Sequence, residues 1–365
     1  MMSIRKRTFH IFCACIYTLL CWGSITLAES GQNRKGLEPA NLVFFYKKYI
    51  NEGIRYLERG DKEEAVKSFW NAAELNPRLP EAYINIGIVR LQQGNFDDAM
   101  RLFLKAESLA SSDYIKSDIL SYNLGLCSYK KGNFSEAIEY YKDALKITPE
   151  FGEALFNIGM SYREIDKRIE AFMHIFKSKR IFQHGAQNEY TQRAEQILES
   201  LRKDPQTDTS SLAEKLLEEG SQCFKDGELE KALSYMHESI TVNPTYAEAH
   251  FRLGTIYADQ EYFPRALKCF IQATELDPKH LKAYINLGST CGELKKYKEA
   301  LDAYQRALEI DKENPKIYYN IGMVCLATGA KDKARQFFKK AKVLCTKEKD
   351  TELLKQITQA YRKIK

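Results

Sequence analysis

The stretch that decides the fold is residues 281–348, which read LKAYINLGSTCGELKKYKEALDAYQRALEIDKEN and then PKIYYNIGMVCLATGAKDKARQFFKKAKVLCTKE. Each half has 34 residues, with Gly at its eighth place (Gly288, Gly322) and Ala at its twentieth (Ala300, Ala334). A fixed period of this length is typical of stacked supersecondary units that share one continuous core. The period therefore takes precedence over a division of the chain into ordinary globular domains.

The same period extends over most of the chain in eight copies. They cover residues 46–79, 80–113, 118–151 and 152–185, and then 213–246, 247–280, 281–314 and 315–348. The eighth place is Gly and the twentieth Ala in every copy, as at Gly53, Gly87, Gly125, Gly159, Gly220 and Gly254 and at Ala65, Ala99, Ala137, Ala171, Ala232 and Ala266. Small residues at paired places let two helices approach closely. The pattern predicts eight helix-turn-helix units.

Other places resemble the tetratricopeptide repeat (TPR). An early aromatic residue stands at Tyr49, Tyr83, Tyr284 and Tyr318, a later one at Phe69, Phe103, Tyr141, Phe270, Tyr304 and Phe338, and a closing proline at Pro77, Pro149, Pro244 and Pro278. The resemblance implies an all-α fold, a right-handed TPR superhelix (α-solenoid) of eight helix-turn-helix repeats in two arrays of four, each followed by a capping helix. It is weakest in the fourth and fifth copies, where Ile175 and Met236 replace the later aromatic residue.

Segments outside the repeats complete the predicted organisation. We assign residues 1–28 to a signal peptide or anchor, 29–45 to a lead segment, 46–185 and 213–348 to the two arrays, 186–211 to a capping helix and linker, and 349–365 to a C-terminal capping helix. Helical stripes of apolar residues predict the two caps, at Ala194, Ile197, Leu198 and Leu201 and at Leu353, Ile357, Ala360, Tyr361 and Ile364. Residues 204–210 contain no apolar side chain, which predicts a linker or hinge, and Ser211 with Glu214 predicts a capping box for the next helix.

The first 28 residues are typical of an export signal. Arg5, Lys6 and Arg7 precede an uncharged apolar run from Ile11 to Ala28, and small side chains at Thr26 and Ala28 suit a signal peptidase. We expect Glu29 to begin the mature chain, which places the protein outside the cytoplasm, in the periplasm or envelope. The alternative is an uncleaved anchor, because 18 apolar residues are at the lower limit for spanning a bilayer. A lipidated Cys21 fits less well, since the bulky Leu20 precedes it.

Composition and motifs argue against several functions. The net charge of +6, or +3 after loss of the signal, is too small to indicate a dedicated nucleic-acid binder. No phosphate-binding Gly-rich loop, His-Glu-x-x-His pair, Cys-x-x-Cys pair or Gly-x-Ser-x-Gly elbow is present, and five histidines stand without ligand spacing at His174, His184, His237, His250 and His280. We therefore predict no catalytic residue, no metal and no cofactor.

Six cysteines remain after the signal, at Cys127, Cys223, Cys269, Cys291, Cys325 and Cys345. Three of them, Cys223, Cys291 and Cys325, share the eleventh place of their repeats, where a buried apolar residue is expected. Equal places in neighbouring repeats are about 8 to 10 Å apart, too far for a disulfide. We interpret the cysteines as buried thiols, with a disulfide or a redox role as the alternative.

The resemblance implies a binding groove lined by the first helix of each repeat, with the second, fifth, sixth, ninth and twelfth places facing the ligand. The sixth place carries a row of amides, Asn51, Asn85, Asn123, Asn157, Asn286 and Asn320, which is interrupted by Glu218 and Arg252. Amides suit the backbone of an extended peptide, but they also satisfy local backbone groups, and both interpretations stay open. In the first array the fifth and ninth places are apolar, at Ile50, Ile54, Ile84, Ile88, Tyr122, Leu126, Phe156 and Met160, whereas the second array has Ser221, Thr255 and Ser289 at the ninth.

An apolar strip beside the amide row indicates a binding site, unless residues 29–45, with Leu42 to Phe45, fold into the groove as a cap. We therefore predict a protein-binding scaffold whose partner is a protein or peptide, with no nucleic acid and with membrane contact only through an uncleaved N-terminal segment. The alternatives are a membrane-held assembly factor for a pilus, secretion or envelope complex and, more weakly, a thiol or metal enzyme.

Overall fold

The structure is a computed structural model that describes residues 39–109, 117–185, 188–348 and 351–362. Within these ranges the chain forms 18 helices and no strand, so the predicted all-α class is confirmed. None of the helices in these ranges is long and apolar enough to cross a membrane. The predicted signal at 1–28 and the first part of the lead segment lie outside the described residues. The chain divides into two compact units, Met1–Ile86 and Gly87–Lys365.

The described part of the first unit contains α1 (Pro39–Arg59), α2 (Lys62–Leu75) and the beginning of α3 (Pro80–Gln92). Helix α1 begins seven residues before Tyr46, the predicted start of the first repeat. The alternative in which residues 29–45 fold into the groove as a cap does not hold for 39–45, because these residues continue the first helix. Val43 and Phe44 on this extension are exposed.

The second unit holds the rest of α3 and fifteen further helices within the described ranges. Their bounds are α4 Phe96–Leu109, α5 Asp118–Lys130, α6 Phe134–Ile147, α7 Gly152–Glu164, α8 Arg168–His184, α9 Asn188–Lys203, α10 Thr209–Lys225, α11 Leu229–Val242, α12 Ala247–Asp259, α13 Phe263–Leu276, α14 Leu281–Glu293, α15 Tyr297–Ile310, α16 Pro315–Ala327, α17 Lys331–Glu348 and α18 Thr351–Arg362. In each of the eight predicted repeats, the second helix begins 16 residues after the repeat start, at Lys62, Phe96, Phe134, Arg168, Leu229, Phe263, Tyr297 and Lys331.

Six first helices begin at the predicted residue, and α1 and α10 begin earlier. Helix α10 begins at Thr209 because Asp208 caps it, and the Asp208 carboxylate accepts hydrogen bonds from the backbone N–H groups of Ser210 and Ser211 at 3.0 and 3.1 Å. The predicted Ser211–Glu214 capping box is therefore wrong, since Ser211 lies inside the helix.

Close contact between the two helices of each repeat explains the invariant small residues. All eight alanines at the twentieth place are fully buried. A Cβ added at the eighth-place glycines would lie 2.4 Å from Phe69 at Gly53, 2.6 Å from Tyr141 at Gly125 and 2.6 Å from Phe338 at Gly322. A full side chain cannot enter at these distances, so the helices require glycine here.

The turn between the two helices places the fifteenth residue of every repeat in the left-handed region. Five repeats have glycine there, at Gly60, Gly94, Gly132, Gly227 and Gly329, with φ between 79° and 89°. Three repeats have Asp166, Glu261 and Lys295, with φ of 57°, 58° and 59°. Left-handed backbone is unfavourable for a residue with a Cβ by about 1–2 kcal/mol. Three turns therefore carry strain that glycine would relieve.

We expect Lys295→Gly to raise the free energy of unfolding by about 0.5–1 kcal/mol, because the relief of strain exceeds the added entropy of the unfolded chain. Thermal unfolding followed by circular dichroism measures the change. The matched control is Lys298→Gly, three residues further on in helix α15, which should lower stability by about 1 kcal/mol. Equal destabilisation by both substitutions would show that the turn is not strained.

Helices α9 and α18 lie outside the eight repeats. Ala194, Leu198 and Leu201 of α9 are buried in one hydrophobic cluster with Leu212 and Leu216 of α10. Residues 204–208, predicted as part of a linker or hinge, thus join two helices that share a core. In α18, Leu353, Ile357 and Ala360 are buried against the last repeat.

Candidate peptide-binding surface

Consecutive first helices contact each other in the second unit, α10 with α12, α12 with α14, and α14 with α16, and the capping helix α18 contacts α16. We use the name first-helix face for the side chains at the second, fifth, sixth and ninth places of these helices and of α5 and α7. Asn157 of α7 donates to the Tyr122 hydroxyl of α5 at 3.0 Å, and Asn320 of α16 donates to Ser289 Oγ of α14 at 3.5 Å. Each bond joins an asparagine of the predicted row to a side chain of the preceding repeat.

The six predicted asparagines differ in exposure and in partners. Asn51 is exposed, Asn85 and Asn123 are buried at 3% exposure, and Asn157, Asn286 and Asn320 are half-buried. Asn123 donates to the backbone carbonyl of Ile119 in its own helix at 2.8 Å, and Asn85 Nδ2 is buried without a hydrogen-bond partner. Three amides thus bond within the protein through their Nδ2 atoms. Asn286 forms no hydrogen bond with the described residues and is half-buried on the first-helix face.

The predicted apolar residues also fall into two groups. Ile54 and Ile84 in the first unit, and Ile88, Tyr122 and Leu126 in the second, are half-buried. Phe156 and Met160 are buried at 3% and 9% exposure within the hydrophobic cluster that includes α9. In the second unit, the accessible part of the apolar strip therefore lies at Ile88 and on α5, and the strip becomes part of the core at α7.

Helices α8 and α9 both contribute to this burial. The Arg193 guanidinium lies over the Phe156 ring, 5.3 Å from its centre, and Phe182 packs against Phe156 with ring centres 6.4 Å apart. Phe182 belongs to α8 of the same repeat, but the repeat pattern could not reveal the contact with Arg193, because α9 is outside the repeats. Its apolar stripe signalled a packed helix, but not that Arg193 would cover a place on the first-helix face.

The first-helix face of α12 and α14 is polar and charged. Glu248 accepts hydrogen bonds from Arg252 Nε at 2.6 Å and from His280 Nε2 at 3.0 Å, and the Phe251 ring packs on His280 with centres 4.7 Å apart. Burial raises the pKa of the Glu248 carboxyl, but the bonds from His280 and Arg252 outweigh burial and hold the pKa below its usual value. The charged cluster fixes Arg252, which interrupts the asparagine row.

Tyrosine hydroxyls beside the asparagines remain protonated at neutral pH. Burial raises the pKa of Tyr122 well above its usual range, and it raises the pKa of Tyr304 to about 12 despite the bond with Ser289. The distance from Ser289 Oγ to Tyr304 Oη is 3.1 Å. These hydroxyls are therefore neutral hydrogen-bonding groups that orient the row.

Cys127, Cys223, Cys269, Cys291 and Cys325 are free thiols, and Cys127, Cys291, Cys325 and Cys345 are buried. Burial raises the pKa of Cys127 to about 12 and of Cys269 to about 11, which disfavours the reactive thiolate. Within the described residues, no three His, Cys, Asp or Glu side chains are grouped closely enough to hold a metal ion.

Family profiles match the repeats. Two profiles described as Tetratricopeptide repeat match residues 78–150 and 245–313 in one case and 293–342 in the other, and a third, described as TPR repeat, matches 53–94. Together the matches extend over 53–150 and 245–342, more than half of the chain.

A curated relative from Hordeum vulgare, the probable UDP-N-acetylglucosamine–peptide N-acetylglucosaminyltransferase SPINDLY, is 24% identical over 151 residues. The matched residues are 41% of this chain but only 14% of the relative, so the activity of the relative is not assigned to this chain.

Solved TPR structures also resemble the chain. The TPR2AB domain of yeast Sti1, in a complex with pHSP90, is 18% identical, with 79% of this chain and 99% of that chain covered and a TM-score of 0.32. A tetratricopeptide repeat protein from Parabacteroides merdae is 16% identical, with 87% and 99% covered and a TM-score of 0.33. Likenesses of this size reflect a shared type of repeat and do not locate a binding site.

Proposed function

Because the chain belongs to the tetratricopeptide repeat family, we propose that it is an exported scaffold for protein–protein interaction that binds extended peptide segments on its first-helix face. The observation that carries the proposal is the half-buried pair Tyr122 and Leu126 on α5, beside the asparagines of α5 and α7. Partly exposed apolar side chains next to hydrogen-bonding groups are typical of ligand sites.

The two halves of the first-helix face suit different parts of a peptide. Tyr122 and Leu126 offer apolar contact for a side chain of the ligand, and Arg193 and α9 bound this part at Phe156. On α14, Asn286 and Ser289 offer polar groups beside an exposed Lys282, which suits the polar backbone of an extended chain. A peptide with one apolar anchor is therefore the proposed ligand class.

Export is the second part of the proposal and rests on residues 5–28 of the sequence. A cleaved signal would release the scaffold outside the cytoplasm, and a retained segment would hold it at the membrane, as expected of an assembly factor for a pilus, secretion or envelope complex. N-terminal sequencing of the mature protein separates the two forms, because cleavage gives Glu29 as the first residue.

Leu126→Asp is expected to weaken peptide binding at least about tenfold, since a carboxylate replaces the apolar contact. Peptides selected from a random display library on the wild-type chain supply the ligand, and fluorescence anisotropy measures the Kd. The control is Leu104→Asp, at an exposed leucine on the second helix α4, which should leave the Kd within about twofold. If no peptide is selected, or if both variants weaken binding equally, the first-helix face is not the peptide site.

A further inference from the structure

The positive charge of the chain is concentrated near its C-terminus. Residues 331–365 contain 12 basic and four acidic side chains, a formal charge of +8, whereas the whole chain carries +6 and residues 1–330 therefore carry −2. The excess lies on α17, which has seven basic and two acidic residues, against two basic and three acidic residues on the equivalent helix α15. Charge asymmetry of this kind indicates an anionic partner.

The basic side chains between residues 331 and 342 of α17 are exposed. We use the name basic face for its exposed residues Lys331, Lys333, Arg335, Lys339, Lys340, Lys342 and Val343. The opposite side of the helix is buried, through Ala334, Phe338, Ala341, Leu344 and Cys345. The apolar side of α17 is therefore buried in the core, and its charged side is exposed to solvent.

Acidic partners are scarce on the basic face. Arg335 forms an ion pair with Asp332 at 3.1 Å, and Lys340 Nζ lies 4.2 Å from the centre of the Tyr318 ring. Lys333, Lys339 and Lys342 form no ion pair with the described residues. On other second helices, by contrast, lysines pair with a glutamate three residues earlier, as in Lys142–Glu139 and Lys231–Glu228. At the edge of the basic face, Glu309 and Glu313 lie beside Lys312 and Lys340 around a shallow depression.

The apolar content of the basic face favours a lipid surface over nucleic acid. Val343, an aliphatic residue with 53% exposure, stands among Lys339, Lys340 and Lys342. Of the aromatic rings near the lysines, Phe338 is fully buried, Tyr318 is 5% exposed and Phe337 is half-buried, so none is fully exposed. Stacking on bases needs exposed rings, whereas clustered lysines around an aliphatic residue match an anionic bilayer surface.

We propose that the basic face of α17 docks on an anionic phospholipid surface by electrostatic attraction, without insertion of the helix. Each lysine near such a surface strengthens binding about fivefold, and salt screens the attraction. This contact is separate from the N-terminal segment, to which the sequence alone limited membrane contact. It does not depend on peptide binding, because the basic face is on a second helix.

The test is co-sedimentation of the full chain with vesicles of phosphatidylcholine, with or without about one third phosphatidylglycerol, at about 0.05 M and about 0.5 M NaCl. The partition coefficient for vesicles with phosphatidylglycerol is divided by that for vesicles without it. This ratio isolates the anionic contribution, because the N-terminal segment is common to all variants. The variant Lys333→Glu/Lys339→Glu/Lys342→Glu should lower the ratio on the order of 100-fold at low salt, and high salt should abolish the preference in the wild type.

A matched triple, Lys268→Glu/Lys279→Glu/Lys298→Glu, changes the net charge equally at exposed lysines of the two preceding repeats. It should keep the wild-type ratio within about threefold if location matters more than net charge. The proposal is overturned by equal binding to both kinds of vesicle, by an equal fall in both triples, or by tighter binding of duplex DNA or of an acidic polypeptide than of the anionic vesicles. Circular dichroism of each triple checks that the helices are intact.

Discussion

Gly288→Ala is expected to lower the free energy of unfolding by about 3 kcal/mol, although alanine is the better helix former. The added Cβ would lie 2.5 Å from Tyr304 Cε1 and 2.7 Å from Tyr304 Cζ. The Tyr304 ring cannot retreat easily, because it is 2% exposed and its hydroxyl is bonded to Ser289. The helices α14 and α15 must therefore separate, which weakens the core of the seventh repeat.

Gly292→Ala is the matched control, one turn further along the same helix. A Cβ at Gly292 meets no atom within 4 Å, so the substitution should raise stability by up to about 1 kcal/mol through helix propensity. Urea unfolding followed by circular dichroism gives both values. Two alanine substitutions of opposite sign in one helix would locate the requirement for glycine at the contact with Tyr304, and equal effects would contradict it.

The same contact explains why the sequence was sufficient to predict the register of the repeats. Gly288 packs against the Tyr304 ring and Ala300 is fully buried, and the same requirement for small residues recurs with every repeat and becomes visible as a period. The strained turns at Asp166, Glu261 and Lys295 were not predicted, since their side chains give no sign of left-handed backbone. The early start of α1 was also missed, because nothing in residues 39–45 departs from an ordinary loop-to-helix transition.

The residue types of the candidate site could be predicted from the sequence, but the hydrogen-bond partners of these residues could not. The asparagine at the sixth place is visible in the sequence, yet Asn123 bonds within its own helix while Asn157 reaches Tyr122 of the preceding repeat. Likewise, the pattern of the fourth repeat places Phe156 on the first-helix face, and a non-repeat residue, Arg193, covers it. A repeated pattern in the sequence indicates only the contacts that all repeats have in common. Contacts made by α9, which is not part of a repeat, cannot be predicted from it.

Arg202→Met is expected to lower the free energy of unfolding by about 3 kcal/mol or more, because it leaves a buried carboxylate unpaired. Arg202 of α9 donates to Glu238 of α11 at 3.0 Å and to Glu195 and Glu199 of its own helix at 3.0 and 2.6 Å. The side chains of Arg202 and Glu238 are 14% and 10% exposed. Methionine is shorter than arginine but keeps the aliphatic part of the side chain beside the Phe172 ring, so most of the loss comes from charge and hydrogen bonding.

Two further variants separate this buried pair from a general effect of removing arginine. Arg306→Met removes an exposed pair with Glu309, at 67% and 53% exposure, and should change stability by less than about 1 kcal/mol. The double variant Arg202→Met/Glu238→Met should recover most of the loss, because neither charge then remains buried. A single variant as stable as the wild type would show that Glu238 finds water or another partner.

The pH dependence of stability supplies an independent measurement of the same network. Burial raises the pKa of the Glu195 carboxyl, but hydrogen bonds from Lys179 and Arg202 outweigh burial and hold the pKa below its usual value. A carboxyl with a lowered folded-state pKa adds stability above its unfolded pKa of about 4.3, and this stability is lost as the pH falls through the folded value. Arg202→Met should therefore lose less stability than the wild type as the pH falls from about 4.3 through the folded-state pKa of Glu195. The difference would show how much the contact between Arg202 and Glu195 stabilises α9, which shares one core with the fourth and fifth repeats.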